Sequence, residues 1–255
     1  MSPSVRLVVP CWNEASRFDA DAFGRGLDAD PDLALTLVDD GSTDRTRAVL
    51  EAFARARPDR VEVVLLDENR GKGEAVRAGL LAALATRPDF AGWWDADLAT
   101  PLADVGRLRA ELDARPGAWL AMGARVRMLG VHIDRRTTRH YAGRVVATMI
   151  SRALRVGTYD TQCGAKLFRA ADTPPGLFEA AFLSRWLFDV EVLARLERRH
   201  RDGLGPRPED VVIEVPLSCW TDVPGSKVRA TDFVRAFFDL RRIRRHYDLR
   251  AKRGA

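Results

Sequence analysis

The sequence predicts an α/β protein built on a mostly parallel sheet with helices on both faces. Two observations carry that expectation. Short β-like apolar runs alternate with segments of helical composition through the first half of the chain, the pattern that buries a sheet between two helical layers. Each of the first four runs also ends in a polar cluster: Asn13-Glu14, DDGSTD, ENRGKG and DAD. Ligands in open parallel sheets bind outside the carboxyl ends of the strands, so these clusters locate a site along one edge.

The strands are expected at Val5 to Pro10, Leu33 to Asp39, Val61 to Leu66, Phe90 to Asp95 and Ala118 to Met122. Ser42, Thr43 and Asp44 offer side-chain oxygens to cap a helix over RTRAVLEAFARA, and Lys72 to Thr86 is alanine-rich with leucines at helical spacing. The second half is less regular. Helices are expected over Arg135 to Leu154, Ser184 to His200 and Asp232 to Tyr247, a strand over Val211 to Pro216, and a polar turn entering a strand at DTQCGAKLF. Without a repeat or a low-complexity linker, one domain over residues 1–230 is expected, followed by a basic amphipathic helix and tail over 231–255.

Composition narrows the function classes. Hydrophobic residues make up 46% of 255, enough for a sizeable core, and no segment approaches the ~18 apolar residues of a membrane span. MSPSVRLVVP enters a strand at once, without the regions of a signal peptide, so a cytoplasmic protein is expected. Cys11, Cys163 and Cys219 are far apart and show no zinc or disulfide spacing, and His132, His140, His200 and His246 share no ligand spacing. The net charge of +5 resides in the tail, where residues 231–255 hold eight Lys/Arg against three Asp/Glu. An anionic partner for the tail follows. Nucleic acid is not expected, because acidic strand ends repel phosphate.

The stretch WWDADLATP carries the sharpest chemical signal. Asp95 and Asp97 follow an aromatic strand and, as residues i and i+2, face the same way. Burying such carboxylates unpaired is costly, and together they suit a hard divalent cation, Mg²⁺ or Mn²⁺. A solvated turn is the plainer alternative for an Asp-x-Asp taken alone. Trp93 and Trp94 read as core.

In order along the chain, VVPCWNEASR, LVDDGSTDRT, ENRGKGEAVRAG, DADLATP, GAR, YDTQCGAKLF, RWLFDVEVL, EVPLSCW and GSKV resemble the inverting GT-A glycosyltransferases of family 2, and within them the dolichyl-phosphate β-glucosyltransferase branch. The resemblance implies a GT-A fold with a nucleotide-sugar-binding half over 1–123 and an acceptor half over 124–230. It implies UDP-glucose as donor and a polyprenyl phosphate as acceptor. Pro10, Asn13, Glu14, Asp39 and Asp40 then resemble a nucleoside pocket, with Gly71 and Lys72 beside the diphosphate. Asp97 resembles the direct metal ligand, with Asp95 nearer the sugar. Related mannosyl enzymes often carry a further polar residue where this chain has Ala99.

The attacking group stays open between two alternatives. A hydroxyl acceptor, soluble or on a protein, needs a general base, for which Asp189 is the candidate. A lipid phosphate is already anionic and needs cations, for which Arg125, Arg135, Arg136 and Arg139 suit, since guanidinium forks bind phosphate oxygens. The resemblance further implies Gln162 and Lys166 on the acceptor side, Ser226 and Lys227 in a closing loop, and Trp186 lining the sugar or acceptor pocket. Trp220 shares a resemblance motif and is a second candidate for lining that pocket. In the tail, Phe233, Phe237, Leu240, Ile243 and Tyr247 recur at helical spacing among arginines. That stripe fits peripheral contact with an anionic membrane or packing on its own domain.

Overall fold

The computed structural model describes residues 4–126, 128, 132–134, 147–154, 156–223 and 230–249. Its centre is a seven-stranded sheet. In chain order the strands are β1 (Val5–Cys11), β2 (Leu33–Asp40), β3 (Val61–Leu66), β4 (Phe90–Trp93), β5 (Leu120–Ala124), β6 (His132–Asp134), β7 (Lys166–Arg169), β8 (Val212–Pro216) and β9 (Cys219–Thr221). The main sheet runs β3-β2-β1-β4-β7-β5-β8, and β6 pairs with β9 apart from it. All pairings in the main sheet are parallel except those of β7, which is antiparallel to both β4 and β5.

The helices are α1 (Ala20–Ala29), α2 (Thr46–Arg55), α3 (Lys72–Ala85), α4 (Asp104–Asp113), α5 over 147–154, α6 (Phe188–Arg201), the short α7 (Pro208–Val211) and α8 (Ala230–His246). Strand alternation divides the core in two. Leu7, Val9, Leu35 and Leu37 face Phe23, Leu27, Leu50 and Leu108 on one side. Val8, Val38 and Trp93 face Val76, Leu80 and Phe188 on the other. With both faces covered, β2 is buried at every residue, which is why it reads as a nearly continuous apolar run.

Several boundaries differ from expectation for local reasons. The strand expected to reach Asp95 ends at Trp93, because the chain turns there: Leu98 N donates to Asp95 O, and Leu98 takes a φ of 50°. The capping residue of α2 is Arg45, while the Asp44 carboxylate accepts from Thr46 N at 2.9 Å. Helix α6 starts at Phe188; Ser184 lies in the preceding turn, its Oγ accepting from Trp186 N and Leu187 N. Of the helix expected over Arg135 to Leu154, only 147–154 is described, and that part is helical.

The tail helix packs on its own domain. Ala236, Leu240 and Ile243 of α8, with Leu249 after it, are buried in the second core, and Tyr247 packs against them. The expected stripe is therefore shifted at one position. Phe237 is 42% exposed, and Ala236 takes the inward place. No helix among the described residues is long and apolar enough to cross a membrane.

Candidate active site

The strand order reverses beside β1: β2 and β3 extend to one side and β4 to the other. The crevice at such a reversal is where α/β sheets bind ligands. Here it is a cleft of about 780 Å³ whose lining includes Pro10, Glu14, Asp40, Lys72, Asp95 and Asp97. Thus residues from the ends of β1, β2 and β4 and the start of α3 meet in one place.

Hydrogen bonds within the loops shape one side of the cleft. Asn13, at φ 50°, accepts from Thr43 N through Oδ1 at 2.9 Å, and its own N–H donates to Ser42 Oγ at 2.9 Å. Glu14 N donates to Thr46 Oγ1 at 2.7 Å, and Ser42 N donates to Asp39 Oδ1 at 3.1 Å. The loops after β1 and β2 are thereby joined. The Asp40 carboxylate accepts from Arg70 N at 2.7 Å, Gly71 N at 2.9 Å and Asn69 Nδ2 at 3.1 Å. Burial raises the Asp40 pKa, against the pull of those two backbone N–H groups. Asn13, Asp39 and Asp40 therefore build the loops, while Pro10, Glu14 and Asp40 also line the cleft.

The two central carboxylates have different environments. Lys72 Nζ lies 2.5 Å from Asp95 Oδ1, and Arg17 Nη2 lies 3.4 Å from Asp97 Oδ2. Burial alone would raise Asp95, yet Lys72 holds its pKa below the ordinary value. Asp97 is raised, first by burial and next by the Asp95 charge. The loop carrying them is bonded internally: Trp94 Nε1 donates to Thr100 O at 2.8 Å, and Ala99 N donates to Asp97 Oδ1 at 3.1 Å. A non-glycine residue at positive φ such as Leu98 is tolerated where surrounding bonds over-determine the turn.

Because β7 is antiparallel, the turn entering it comes to the same sheet edge. Trp93 is the register partner of Lys166. Gly164 in that turn lies so close to Asp95 that a Cβ would overlap its carboxylate. The turn is held internally: Lys166 Nζ donates to Thr161 O at 3.0 Å and Cys163 O at 2.5 Å, and Glu214 accepts from Tyr159 N and Asp160 N, each at 2.7 Å. Burial pushes the Cys163 thiol up to about 11, so it is inert packing.

Two expected functional groups are engaged elsewhere. Lys166 Nζ is 2.6 Å from Asp189 Oδ1, with side chains only 1% and 6% exposed, and Trp93 Nε1 donates to the same oxygen at 3.2 Å. Asp189 thus serves as a buried counterion beneath the cleft and is not among its lining residues. Arg125 forms a fork with Asp160 at 2.6 and 2.7 Å, which raises its pKa against the cost of burial. It anchors the turn to β5 and does not reach the cleft lining; its guanidinium stacks on the Trp220 ring at 5.4 Å. Gln162 has a buried Nε2 with no partner among the described residues. Arg135, Arg136, Arg139, Ser226 and Lys227 lie outside the described residues.

The strap over 183–186 closes the opposite wall. Trp186 and Arg185 line the cleft there, as Trp186 was expected to. Arg185 donates to Asn69 O at 3.0 Å, and its carbonyl accepts from Gly73 N at 2.9 Å. Gly71, at φ 96°, leaves room for it, since a Cβ would stand 2.7 Å from that of Arg185. The strap is tied in turn to α8: Ser184 Oγ donates to Asp239 at 2.6 Å, and Arg242 donates to Leu183 O at 3.1 Å. Sequence reasoning missed Arg17, Arg185 and the cleft-lining part of α8. Only the Arg17 spacing from Glu14 was a local signal.

The glycosyl transferase family 2 model matches residues 7–173. This chain belongs to glycosyltransferase family 2. It is similar to dolichyl-phosphate beta-glucosyltransferases. That of Drosophila melanogaster is 32% identical over 89% of this chain and 70% of the relative. The human protein is 30% identical over 89% and 71%, and the Saccharomyces cerevisiae protein 30% identical over 94% and 74%. The fold of this family-2 enzyme is shared with Mycobacterium tuberculosis glucosyl-3-phosphoglycerate synthase, solved with Mn²⁺, UDP-glucose and phosphoglyceric acid. The two align at a TM-score of 0.66 and 20% identity, over 98% of this chain and 82% of the other. Staphylococcus aureus TarS with UDP aligns at 0.59 and 14% identity, over 100% and 67%. The expected GT-A architecture and the nucleotide-sugar transferase class both hold.

Proposed function

We propose that this glycosyltransferase moves glucose from UDP-glucose to a polyprenyl phosphate, with inversion at the anomeric carbon, at the cytoplasmic face of a membrane. The observation carrying the acceptor is similarity to dolichyl-phosphate beta-glucosyltransferases along about nine-tenths of the chain. Mn²⁺, UDP and UDP-glucose in complexes of a protein with the same fold support the donor and the cation.

The donor set fits Mg²⁺ or Mn²⁺. Asp95 and Asp97 present two carboxylates to one cleft, and Asp97 is raised first by burial and next by the neighbouring Asp95 charge. No three His, Cys, Asp or Glu side chains form a metal cluster among the described residues, so Asp95 and Asp97 are the two side chains that would hold the cation. Held by Asp95 and Asp97, a divalent cation would supply positive charge to offset the negative charge developing on the leaving diphosphate.

In the transfer, a lipid phosphate oxygen forms a bond to the anomeric carbon as the bond to UDP breaks. The phosphate is already anionic, so the chain supplies orientation and no base. Lys72 holds Asp95 in place and adds positive charge beside the donor phosphates, while Glu14 and Pro10 border the nucleoside. The position of Asp189, buried against Lys166 and outside the cleft lining, supports this acceptor over a hydroxyl that would need a base in the cleft.

The test is transfer from UDP-glucose to a short-chain polyprenyl phosphate with Mn²⁺, and again after EDTA. Glucosyl phospholipid forms in the first and not in the second, and Asp97→Asn removes metal-dependent turnover while the fold survives. Asp95→Asn also impairs turnover, with a smaller change in metal affinity than in donor placement. Transfer to a soluble hydroxyl acceptor that depends on Asp189, with none to any polyprenyl phosphate, would overturn the lipid reading.

A further inference from the structure

Helix α8 has three faces with different surroundings. Ala236, Leu240 and Ile243 are buried in the core. Arg235, Asp239 and Arg242, spaced four and three residues apart, line the cleft that holds Asp95 and Asp97. Phe237, Phe238, Arg241 and Arg245 belong neither to that core nor to the cleft lining.

The outward face is unusual. Phe237 and Phe238 are 42% and 63% exposed, the one adjacent pair among the exposed large apolar side chains of the described residues. Their rings meet edge to face at 5.7 Å, and the Arg241 guanidinium stands 5.7 Å from the Phe237 ring. Phe238 borders a surface hollow of about 490 Å³ with Arg241, Arg242, Arg245 and His246. Two aromatic rings ringed by guanidinium groups match the boundary of an anionic bilayer, where rings enter the acyl edge and arginines meet headgroup phosphates.

We infer that the outer face of α8 docks on an anionic bilayer surface, so that the acceptor's phosphate enters the cleft past Arg235 and Arg242. The docking face and the cleft face belong to the same helix, and Arg242 borders both the hollow and the cleft. This deepens the lipid-phosphate reading and rests on it for the identity of the acceptor. Guanidinium groups at the rim suit a phosphate that must leave a headgroup plane and remain paired throughout. Arg125, locked to Asp160, is not available for that task.

The full chain is tested by co-sedimentation with phosphatidylcholine vesicles, with and without phosphatidylglycerol, at low and high salt. Binding is expected only with phosphatidylglycerol and weakens with salt. Phe237→Ser with Phe238→Ser, and separately Arg241→Glu with Arg245→Glu, should each weaken it about tenfold or more. Both variants alter exposed side chains and should keep wild-type transfer to a water-soluble short-chain phosphate. Arg235→Ala should raise KM for that soluble acceptor more than it lowers kcat. Wild-type protein that ignores anionic vesicles, or variants that bind them as well as wild type, overturns the docking surface. An unchanged KM in Arg235→Ala overturns the entry route. Vesicle binding that needs Phe237 and Phe238, without transfer to any polyprenyl phosphate, supports the docking surface and sinks the acceptor reading separately.

Discussion

Lys166 and Asp189 meet at 2.6 Å in a nearly solvent-free pocket beneath the cleft. They lie on β7 and α6, and Trp93 from β4 donates to the same carboxylate. The pair therefore ties three elements together directly below Asp95. Removing one partner strands a buried charge, which costs about 3–5 kcal/mol, whereas replacing both by apolar groups costs far less. Asp189→Ala should lower the unfolding free energy measured by urea titration by an amount in that range, and Lys166→Met with Asp189→Leu should recover the part due to the stranded ammonium, less what losing the Lys166 bonds to Thr161 O and Cys163 O costs. Equal losses in the single and double variants would show that the charge is not what matters.

Gly164 packs against the Asp95 carboxylate where no side-chain carbon fits. Gly164→Ala must displace either the turn or Asp95, and the turn is held by Lys166 and Glu214. Asp95 is the softer of the two. Turnover should drop strongly while thermal stability changes little, with calorimetric UDP binding in Mn²⁺ weakened in parallel.

Asp39 and Glu14 stand in neighbouring loops at the cleft, Asp39 bonded to Ser42 N and Glu14 part of the cleft wall, where the proposed function puts the nucleoside. Either alanine variant should weaken UDP binding by at least ~1 kcal/mol, the order expected for losing a hydrogen bond to a charged group. Titration with GDP provides the control for base selectivity. Equal affinities for UDP and GDP would argue against a uridine pocket.

Ile243 is fully buried on α8. Ile243→Ala should cost about 2–5 kcal/mol, as truncations of well-packed aliphatic residues do, and deleting the chain after Thr231 should destabilise the whole fold. Chemical denaturation distinguishes this from a helix that merely rests on the surface. In that case both changes leave the midpoint in place.

Tyr247 secures the end of α8: its hydroxyl donates to Glu191 at 2.8 Å and accepts from Arg195 Nε at 3.0 Å. Burial, and next the Glu191 hydrogen bond, push its pKa up to about 12 from 10. A folded pKa above the unfolded one contributes stability that is complete below pH 10 and lost as pH rises through about 12. Comparing melting temperatures of wild type and Tyr247→Phe across that window should show the wild type losing its advantage. A constant difference from pH 8 to 12 would mean that the hydroxyl has the same pKa in the folded and unfolded chain.

What the sequence determined by itself is the part written in local pattern. Apolar runs placed the parallel strands to within a few residues, since burial on both faces leaves an uninterrupted apolar signature. Polar clusters after those runs marked the cleft, because strand ends in such a sheet share one edge. Asp95 with Asp97 stood out for the cost of burying them unpaired. What the tertiary structure decided is which partner each charge meets. Asp189 and Arg125 have the composition of a base and a phosphate receptor, yet Lys166 and Asp160 claim them, through contacts spanning 23 and 35 positions of chain. The antiparallel entry of β7 brings Gly164 to Asp95, and no periodicity in DTQCGAKLF encodes strand direction. Helical spacing revealed an apolar stripe on the last helix but not what covers it. Only packing turned Ala236 inward and Phe237 outward and set Arg235 beside the cleft, because hydrophobicity specifies that a face be buried while the neighbouring surfaces select which face it is.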